Sequence, residues 1–386
     1  MAAITCPDDR WSWVEIDLAA LRRNTVAFKR RLERGVKMMC VVKADAYGHG
    51  AVRCANAMHT AGADQFAVAT VREGVELRQA GIEWPILILS QPPVESVQTL
   101  VEYKLMPCVY EADFALALGE AAAAAGTVAK YHLIIDSGMT RIGVLPGDAV
   151  ELRRTIDFHR GLECAGTLTH FATADVPDDW DFALQLNRFR NACQAIHDAG
   201  LDCGLVHCDN TPGTLLHPEC HFDMCRVGVG LYGLDAAETT HAAIDLEPVM
   251  SVRGRVTRVV YPEVGAGVGY GMTYRVPKRN IQVATVPIGY ADGLSRTLSN
   301  SMDVIVGGRR QPQVGNICMD QFMFAVDVNT TRTYCPTPEV RVGDVVTLVG
   351  ADGDERITAD EMARLRGTIN YEVVCNFGQR LEKLYV

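Results

Sequence analysis

The sequence predicts an α/β fold in which a (β/α)8 TIM-like barrel is followed by a mostly antiparallel β domain. Eight short apolar runs alternate with helical patterns across the first two-thirds of the 386-residue chain, which is typical of a parallel barrel. From about residue 247 the pattern changes to β-rich segments separated by turn dipeptides. We therefore expect a barrel domain over residues 1–246 and a β domain over 247–386, with residues 1–16 as candidates to pair with the β domain.

The predicted barrel strands are short, rich in aliphatic residues and bounded by turn signals. They are KMMCVVKAD (37–45), DQFAVAT (64–70), PILILS (85–90), KLMPCVY (104–110), KYHLIIDSG (130–138), GTLTHF (166–171), GLVHCDN (204–210) and MCRVGVGLYG (224–233). Active sites of such barrels lie at the C-terminal ends of the strands. We therefore expect the functional residues at the ends of these runs.

Helical patterns separate the strands, and several end in a glycine just past the last turn, where a left-handed cap is expected. They cover 18–33, 51–62, 71–80, 94–103, 111–125, 148–159 and 182–199. The segment 211–219 is too short for a full barrel helix, and the leading helix 18–33 is a candidate to close the wall there. In the second domain, β segments are predicted over 251–265, 282–290, 303–315, 322–328 and 344–350, with a capped helix over 357–367.

Composition limits the partners and the compartment. The chain has 37 Lys and Arg against 47 Asp and Glu, a net charge of −10, so it lacks the basic excess that nucleic acid or an anionic membrane would require. No signal-peptide pattern or long apolar stretch is present. The 13 cysteines are odd in number and scattered, which indicates reduced thiols in a cytoplasmic protein.

Lys43 lies near the end of the first predicted strand, inside the run VVKAD. Because desolvation favours the neutral amine, a lysine in such a place suits Schiff-base chemistry. An ion pair with Asp45, or with another carboxylate at the barrel mouth, explains Lys43 equally well when that residue is considered alone.

A phosphate site is suggested separately by the glycines of RVGVGLYG (226–233). Gly228 and Gly230 follow the eighth strand, and Asn210 and Thr211 follow the seventh, which matches the phosphate-binding corner of many barrels. As a dinucleotide fingerprint the G-x-G-x-x-G match is weak, and close packing at barrel closure is an alternative reason for the glycines.

A reactive lysine together with a phosphate cup implies a phosphorylated aldehyde held as an imine, and pyridoxal 5'-phosphate fits that description. Arg226 is then a candidate to contact the cofactor's pyridine nitrogen. An arginine facing the pyridine nitrogen would keep that nitrogen unprotonated, because a guanidinium is always cationic. Such a site would favour short-lived carbanions over transamination.

At this point the residues resemble alanine racemase, a family of fold-type III pyridoxal-phosphate-dependent amino-acid racemases. The resemblance runs from WVEIDLAALRRN (13–24) to INYEVVCNFGQR (369–380). The matching motifs are VVKADAYGHG (41–50), IDSGMTRIGV (135–144), THFATAD (169–175), RVGVGLYG (226–233), VGYGMTY (268–274), PIGYADG (287–293) and NICMDQF (316–322).

The resemblance implies two catalytic bases. Lys43 should hold the cofactor covalently and act as one acid/base, and Tyr270 should be the other, on the opposite face of the substrate α-carbon. In this family the tyrosine comes from the partner subunit, so the resemblance also implies a head-to-tail homodimer.

The resemblance assigns the remaining site residues by position. The cofactor-binding residues should be Lys43, Tyr47, His170, Asn210, Thr211, Arg226, Gly228, Val229 and Tyr371. His170 should link Tyr270 to Arg226. The substrate-binding residues should be Arg141, Met319, Tyr270 and Tyr290. Many relatives carry a carbamylated lysine at the position of Ile134, which cannot ionise, so Arg141 must be held by something else.

The implied reaction is interconversion of L-alanine and D-alanine, with D-alanine supplied to peptidoglycan. A racemase of serine or another small amino acid, a decarboxylase on a similar scaffold and a non-catalytic cofactor carrier are the alternatives. The carrier would need no second base, and the decarboxylase would need a carboxylate where Arg226 stands. A serine hydrolase is unsupported, because no G-x-S-x-G motif is present. A metal site is disfavoured, because the Cys/His cluster over 207–225 has no C-x-x-C pair and His207 and Cys208 face opposite sides of a strand.

Overall fold

The fold was analysed in a computed structural model that describes residues 10–176, 180–241, 243–328, 339–378 and 380–386. The chain is divided into two compact units. One contains residues 19–46 and 50–247, and the other contains residues up to Leu18, Tyr47–His49 and Pro248–Val386. Of the segment predicted to pair with the β domain, residues 1–9 lie outside the described part of the chain.

The described residues form strands in two sheets and one hairpin. The strands are β1 (Ser12–Ile16), β2 (Lys37–Val41), β3 (Gln65–Val68), β4 (Ile86–Ile88), β5 (Met106–Val109), β6 (Ala129–Ile134), β7 (Leu162–Leu168), β8 (Leu205–His207), β9 (Met224–Val227), β10 (Met250–Arg255), β11 (Arg258–Val260), β12 (Gly267–Val268), β13 (Tyr274–Arg275), β14 (Ile281–Val286), β15 (Asp303–Val306), β16 (Arg309–Val314), β17 (Phe322–Asp327), β18 (Val345–Asp352), β19 (Glu355–Ile357) and β20 (Glu382–Tyr385).

The helices fall mainly between the strands β1 to β9. They are Leu18–Arg31, Ala51–Thr60, Val71–Gln79, Val97–Glu102, Ala112–Ala124, Ala149–Asp157, Trp180–Asp198, Thr211–Leu216, Ala359–Arg366 and Asn370–Asn376. No helix of the described residues combines the length and the apolar character needed to cross a bilayer.

The larger unit is a nearly closed parallel barrel. Its strands are hydrogen-bonded in the order β8-β7-β6-β5-β4-β3-β2-β9, and β9 pairs with β2 so that Arg226 lies opposite Met39. Between β8 and β9 the remaining gap is bridged by Asp223, whose N–H donates to the Val206 carbonyl at 3.0 Å and whose carboxylate accepts from the Val206 N–H at 2.8 Å. The predicted barrel is confirmed.

The leading helix packs against the segment that follows the last barrel strands. The Asn24 amide donates to the Leu231 carbonyl at 3.0 Å, and the Phe28 ring lies so close to Gly230 that a Cβ there would be 2.5 Å from it. The helix Thr211–Leu216 spans only six residues. The leading helix therefore covers this part of the wall, where no full-length barrel helix is available.

The smaller unit is built on a mostly antiparallel sheet in the order β11-β14-β17-β16-β15-β18-β10-β1-β20, with β19 added to β18. Strand β1 is antiparallel to β10 and parallel to β20. One of its apolar clusters is formed by Val268, Val276, Ile281, Val283, Val314 and Ala325. The predicted β segments therefore form one domain-sized sheet, and the second half of the predicted fold class is also confirmed.

The first predicted strand is shorter in the structure than in the sequence analysis. Strand β2 ends at Val41, and Ala44, Asp45 and Ala46 have φ near +53°, which makes Lys43–Tyr47 a left-handed turn. The Ala44 N–H donates to the Glu73 carboxylate at 2.7 Å, and the Ala51 N–H donates to the Asp45 carboxylate at 2.7 Å. These side-chain bonds hold a backbone conformation that L-residues rarely adopt.

Candidate active site

Several predicted site residues come together at the C-terminal ends of the barrel strands. Lys43 follows β2 by two positions, His170 follows β7 by two, Asn210 follows β8 by three and Gly228 follows β9 by one. Because neighbouring parallel strands end at the same edge of their sheet, these positions share one end of the barrel.

Arg226 is a deeply buried basic residue at this end, with 3% of its surface exposed. Its Nη1 atom donates to His207 Nδ1 at 3.0 Å and to the His207 carbonyl at 3.2 Å. Its Nη2 atom donates to His170 Nδ1 at 3.2 Å and to the carbonyls of Thr169 and Cys208 at 2.8 and 3.0 Å. Burial lowers the pKa of Arg226, but these acceptors suit a guanidinium that stays charged.

The arginine also fixes the proton positions of two histidines, His207 and His132. A guanidinium only donates, so Nδ1 of His207 must accept and its Nε2 must carry hydrogen. That Nε2 lies 2.8 Å from Nδ1 of His132, which therefore accepts in turn. Burial, and then the charge of Arg226, lower the pKa of His132 to about 3 and the pKa of His207 well below its ordinary value. Arg226 is thus held by a chain of neutral imidazoles.

Gly166 makes the contact between the two histidines possible. It lies on β7, between β6 with His132 and β8 with His207, and a Cβ at this glycine would be 2.5 Å from His132 Nδ1. The missing side chain leaves the space through which the two rings meet across the intervening strand. Glycine inside a strand often marks such a close approach.

His170 lies close to three positively charged side chains. Burial lowers its pKa to about 3, followed by the charges of Arg226, Arg141 and Lys43 in that order. Because Nδ1 accepts from Arg226, the proton of the neutral ring is on Nε2. The three cations placed around this ring make the barrel mouth suited to an anionic ligand.

The glycine-rich segment after β9 forms a small polar corner. Thr211 Oγ1 accepts from the Gly228 N–H at 3.0 Å, and Asn210 Oδ1 accepts from the Gly213 N–H at 3.0 Å. A 3-10 turn follows at Val229–Tyr232, and the first N–H groups of such a turn have no intrahelical acceptor. The corner therefore offers hydroxyl and backbone donors of the kind that hold phosphate oxygens.

Arg141 sits in the loop after β6, and Ile134 at the end of that strand is buried. Ile134, Arg141 and His170 line one small cavity. The Asp136 carboxylate accepts from the N–H groups of Gly138 and Thr140, both at 3.0 Å. These bonds fix the loop backbone just before Arg141.

In the smaller unit, Tyr47 and Tyr371 place their ring centroids 6.1 Å apart. Burial, and then the proximity of Tyr371, raise the pKa of Tyr47 well above its ordinary value. Tyr47 therefore carries a neutral hydroxyl at physiological pH.

Tyr270, Tyr290 and Met319, in the same unit, are exposed large side chains, with 73% of Tyr270 accessible. Their backbones are held in one loop cluster. Asn316 Nδ2 donates to the Tyr270 carbonyl at 2.7 Å, and the Tyr290 N–H donates to the Cys318 carbonyl at 3.0 Å. Apolar side chains exposed together on a rigid backbone are typical of a surface that another molecule covers.

The structural role of His132 and His207 was missed from the sequence. His207 was considered only as a metal ligand, and His132 appeared to be one residue of a buried strand. The glycine in GTLTHF was the available signal, because it indicates close approach at that point. Its partner could be found only once the strands were in register.

The barrel, the lysine after β2 and the imidazole-held arginine on β9 define a class of two-domain barrel enzymes that isomerise amino acids. Comparison with known families narrows this class. The profile described as "Alanine racemase, N-terminal domain" matches residues 16–236, and that described as "Alanine racemase, C-terminal domain" matches residues 249–385. The chain belongs to the alanine racemase family. Membership of this family implies a pyridoxal-phosphate-dependent enzyme.

Individual relatives are similar to this protein along nearly the whole chain. An alanine racemase of Symbiobacterium thermophilum is 40% identical over 376 residues, which is 97% of each chain. The solved alanine racemase of Clostridium difficile 630 has a TM-score of 0.91 at 35% identity, over 99% of this chain and 96% of that one. A histidine racemase of Leuconostoc mesenteroides has a TM-score of 0.88 at 28% identity, over 99% of both chains.

Proposed function

We propose that the chain interconverts L-alanine and D-alanine, using pyridoxal phosphate and two bases. Family membership supports the reaction, since full-length relatives at about 40% identity are named alanine racemases. The observation that carries the assignment within this chain is Arg226, buried and held by neutral histidines, with Lys43 near the same His170 ring. A carboxylate in that position would favour a different reaction of the cofactor.

The residues of this chain fit the cofactor. Lys43 would hold its aldehyde carbon, Arg226 its pyridine nitrogen, and the corner of Asn210, Thr211, Gly228 and Val229 its phosphate. The family resemblance adds Tyr47 and Tyr371 to the phosphate and His170 to the ring environment. When bound, pyridoxal phosphate withdraws electrons from the substrate α-carbon and so acidifies its proton.

The chain's own groups then move the proton. Racemisation requires removal of a proton from one face of the α-carbon and return to the other, so two bases on opposite faces avoid any rotation of the substrate. We assign these roles to the Lys43 amine and to the Tyr270 hydroxyl of a partner subunit. His170 can position that hydroxyl, because its Nε2 carries the proton while Nδ1 accepts from Arg226.

A homodimer follows from the same assignment. Tyr270, Tyr290 and Met319 are exposed in the single chain, and a head-to-tail homodimer would cover them by bringing each to the partner subunit. Arg141 would hold the substrate carboxylate with the backbone of Met319, and Tyr290 would line the entrance. We also place the domain boundary between residues 246 and 247, and the start of the smaller unit's main segment at Pro248 supports this placement.

Alanine is the proposed substrate, and serine or another small amino acid is the alternative. A hydroxyl adds little bulk, and an apolar pocket rejects it only weakly. The resemblance of the fold to a histidine racemase makes direct measurement necessary. D-alanine made in the cytoplasm would supply peptidoglycan synthesis.

The test is proton NMR with chiral analysis of L-alanine in deuterated water, with pyridoxal phosphate supplied to the wild-type protein and to Tyr270→Phe. D-alanine carrying solvent deuterium at the α-carbon would support the proposal. In Tyr270→Phe we expect α-exchange of D-alanine to persist, because the opposite base is intact, while conversion of L-alanine falls about 10²- to 10⁴-fold. No exchange with alanine but turnover of serine would overturn the substrate, and no exchange with any amino acid would overturn the activity.

A further inference from the structure

A second group of reactive side chains lies buried behind the active-site arginine. Asp209, His221 and Cys225 each offer a ligand atom, and these three atoms lie within 4.8 Å of one another. Cys208 and Cys220 form a second such set with the same Asp209. The aspartate and the three cysteines have no exposed surface, and 5% of His221 is accessible. The proposed reaction uses none of these five side chains.

His221 provides the observation that points to a ligand. Its Nε2 atom lies 3.0 Å from the Thr214 carbonyl, which can only accept, so the ring proton is on Nε2. Its Nδ1 atom therefore carries a lone pair, and this buried atom has no hydrogen-bond partner among the described residues. A buried polar atom without a partner is destabilising, because it has lost its hydrogen bonds to water. Metal-binding histidines characteristically donate the other ring N–H to a backbone carbonyl in this way.

The distances suit a small tetrahedral cation. Cys225 Sγ lies 3.4 Å from Asp209 Oδ2. Zinc bound at about 2.3 Å to sulfur and about 2.0 Å to oxygen would hold the two atoms about 3.5 Å apart. The other carboxylate oxygen, Oδ1, lies 3.8 Å from Cys208 Sγ, which places a further thiol within reach.

We propose that Asp209, His221 and Cys225 bind a zinc ion. A thiol from the neighbouring Cys208–Cys220 pair is the fourth ligand. Two thiolates, a carboxylate and a neutral imidazole carry three negative charges against the two positive charges of the ion. The buried Arg226 guanidinium interacts electrostatically with Cys208, Asp209 and Cys225 and offsets the remaining charge. Oxygen-seeking cations such as magnesium are disfavoured by the thiols and the imidazole.

The position of the site gives it a structural role. Asp209 immediately precedes Asn210 and Thr211 of the polar corner, and Cys225 immediately precedes Arg226 on β9. An ion bound to both residues would tie the loop after β8 to β9 and so fix the corner relative to the arginine. From the sequence we gave zinc little weight, because His207 and Cys208 face opposite ways. The structure leaves His207 with Arg226 and brings the more distant His221 and Cys225 to Asp209.

The test is the metal content of the untagged, reduced holoenzyme, measured by inductively coupled plasma mass spectrometry after extensive desalting without a chelator. We expect about one zinc per chain. His221→Ala and Cys225→Ser should each lose it. The matched controls are Cys40→Ser, a buried cysteine on the neighbouring β2, and His197→Ala on the protein surface, and both should keep it.

A second measurement does not depend on how the variants fold. Cobalt(II) added to the metal-depleted, reduced wild-type protein should give thiolate charge-transfer absorption and the visible bands of a tetrahedral site. Wild-type protein that contains no zinc and binds neither zinc nor cobalt would overturn the proposal, as would a Cys208–Cys220 disulfide in the freshly purified protein. Zinc retained in the double variant of His221 and Cys225 would overturn the ligand assignment. None of these readouts depends on racemase activity, so they fail or succeed separately from the proposed function.

Discussion

The terminal nitrogen Nη2 of Arg226 lies 3.2 Å from Nδ1 of His170. This contact means that the arginine charge and the imidazole proton cannot be changed independently. With the Arg226 guanidinium on Nδ1, His170 must be neutral and must present Nε2–H. The same arginine imposes the same tautomer on His207 through its other terminal nitrogen. One buried cation therefore sets the hydrogen-bonding direction of His170, His207 and, through His207, of His132.

Replacing Arg226 with Glu should convert the enzyme from a racemase toward side reactions. The carboxylate would keep the pyridine nitrogen protonated and would reverse the polarity of every bond now donated to His170 and His207. We expect racemisation to fall about 10²-fold or more. Long-wavelength cofactor absorbance and a rise in transamination during turnover are the checks. Unchanged racemisation, with no new absorbance, would contradict the role given to Arg226.

Stability should depend on His170 at acidic pH. Its pKa is lowered to about 3 in the folded protein by burial and by the cations Arg226, Arg141 and Lys43, whereas an unfolded histidine titrates near 6.5. Between these values the unfolded chain binds a proton that the folded protein does not, so stability is lost as the pH falls below about 6.5. One such group contributes at most about 1.4 kcal/mol per pH unit.

His170→Gln removes this contribution while keeping a side chain that can accept from Arg226. Urea unfolding of both holoproteins from pH 6.5 to pH 4.5 should show a shallower loss of stability in the variant. Equal pH slopes in the two proteins would show that His170 already binds a proton in the folded state.

Gly166→Ala should break the contact between His132 and His207. The added methyl would stand 2.5 Å from His132 Nδ1, which forces a shift of the ring or of β7. We expect a loss of about 1–3 kcal/mol of stability, as for other overpacked sites. Because His207 supports Arg226, kcat should also fall.

A double variant separates crowding from the hydrogen bond. His132→Ala removes the ring that the methyl would strike, whereas the Leu205 carbonyl oxygen, 2.7 Å from the same Cβ, stays in place. Gly166→Ala should therefore cost less stability when combined with His132→Ala, but some of the loss should remain. Additive losses in the double variant would show that the glycine is needed for some other reason.

Thr211 should contribute to cofactor retention through its hydroxyl. Thr211→Val keeps the shape of the side chain but removes the acceptor of the Gly228 N–H and a donor for phosphate. We expect about 10- to 100-fold weaker binding of pyridoxal phosphate, measured by fluorescence titration of the apoprotein. Thr211→Ser keeps the hydroxyl and should recover most of the affinity. If Val and Ser variants bind equally well, the corner does not hold the phosphate through this residue.

The barrel could be predicted because each strand is a local apolar run, and parallel strands place their C-terminal ends together. Lys43 and Arg226 were found in this way. The turn after Lys43 could not be predicted, because Ala44 and Ala46 are residues that favour right-handed helix. Their left-handed conformation is held by contacts with Glu73 and with the backbone of Ala51, which only the folded chain brings near.

The contact between His132 and His207 could not be predicted from the sequence either. His132 and His207 lie 75 residues apart and on strands that are not neighbours, so no spacing in the sequence relates them. The intervening Gly166 indicates a close approach but not which side chain approaches. The approaching side chain can be identified only when the register of β6, β7 and β8 is known. The ligand set of Asp209, His221 and Cys225 likewise depends on how the loop after β8 returns to β9.

A mixture of two inactive variants can test whether Tyr270 acts across a dimer. Lys43→Ala lacks one base and Tyr270→Phe lacks the other, so each homodimer should be almost inactive. If each site takes its lysine from one subunit and its tyrosine from the partner, a hybrid dimer has one fully wild-type site and one doubly substituted site. Random exchange makes about half of the dimers hybrid, so about a quarter of wild-type activity should return. If both bases came from one chain, every site would still lack a base and the mixture would stay inactive.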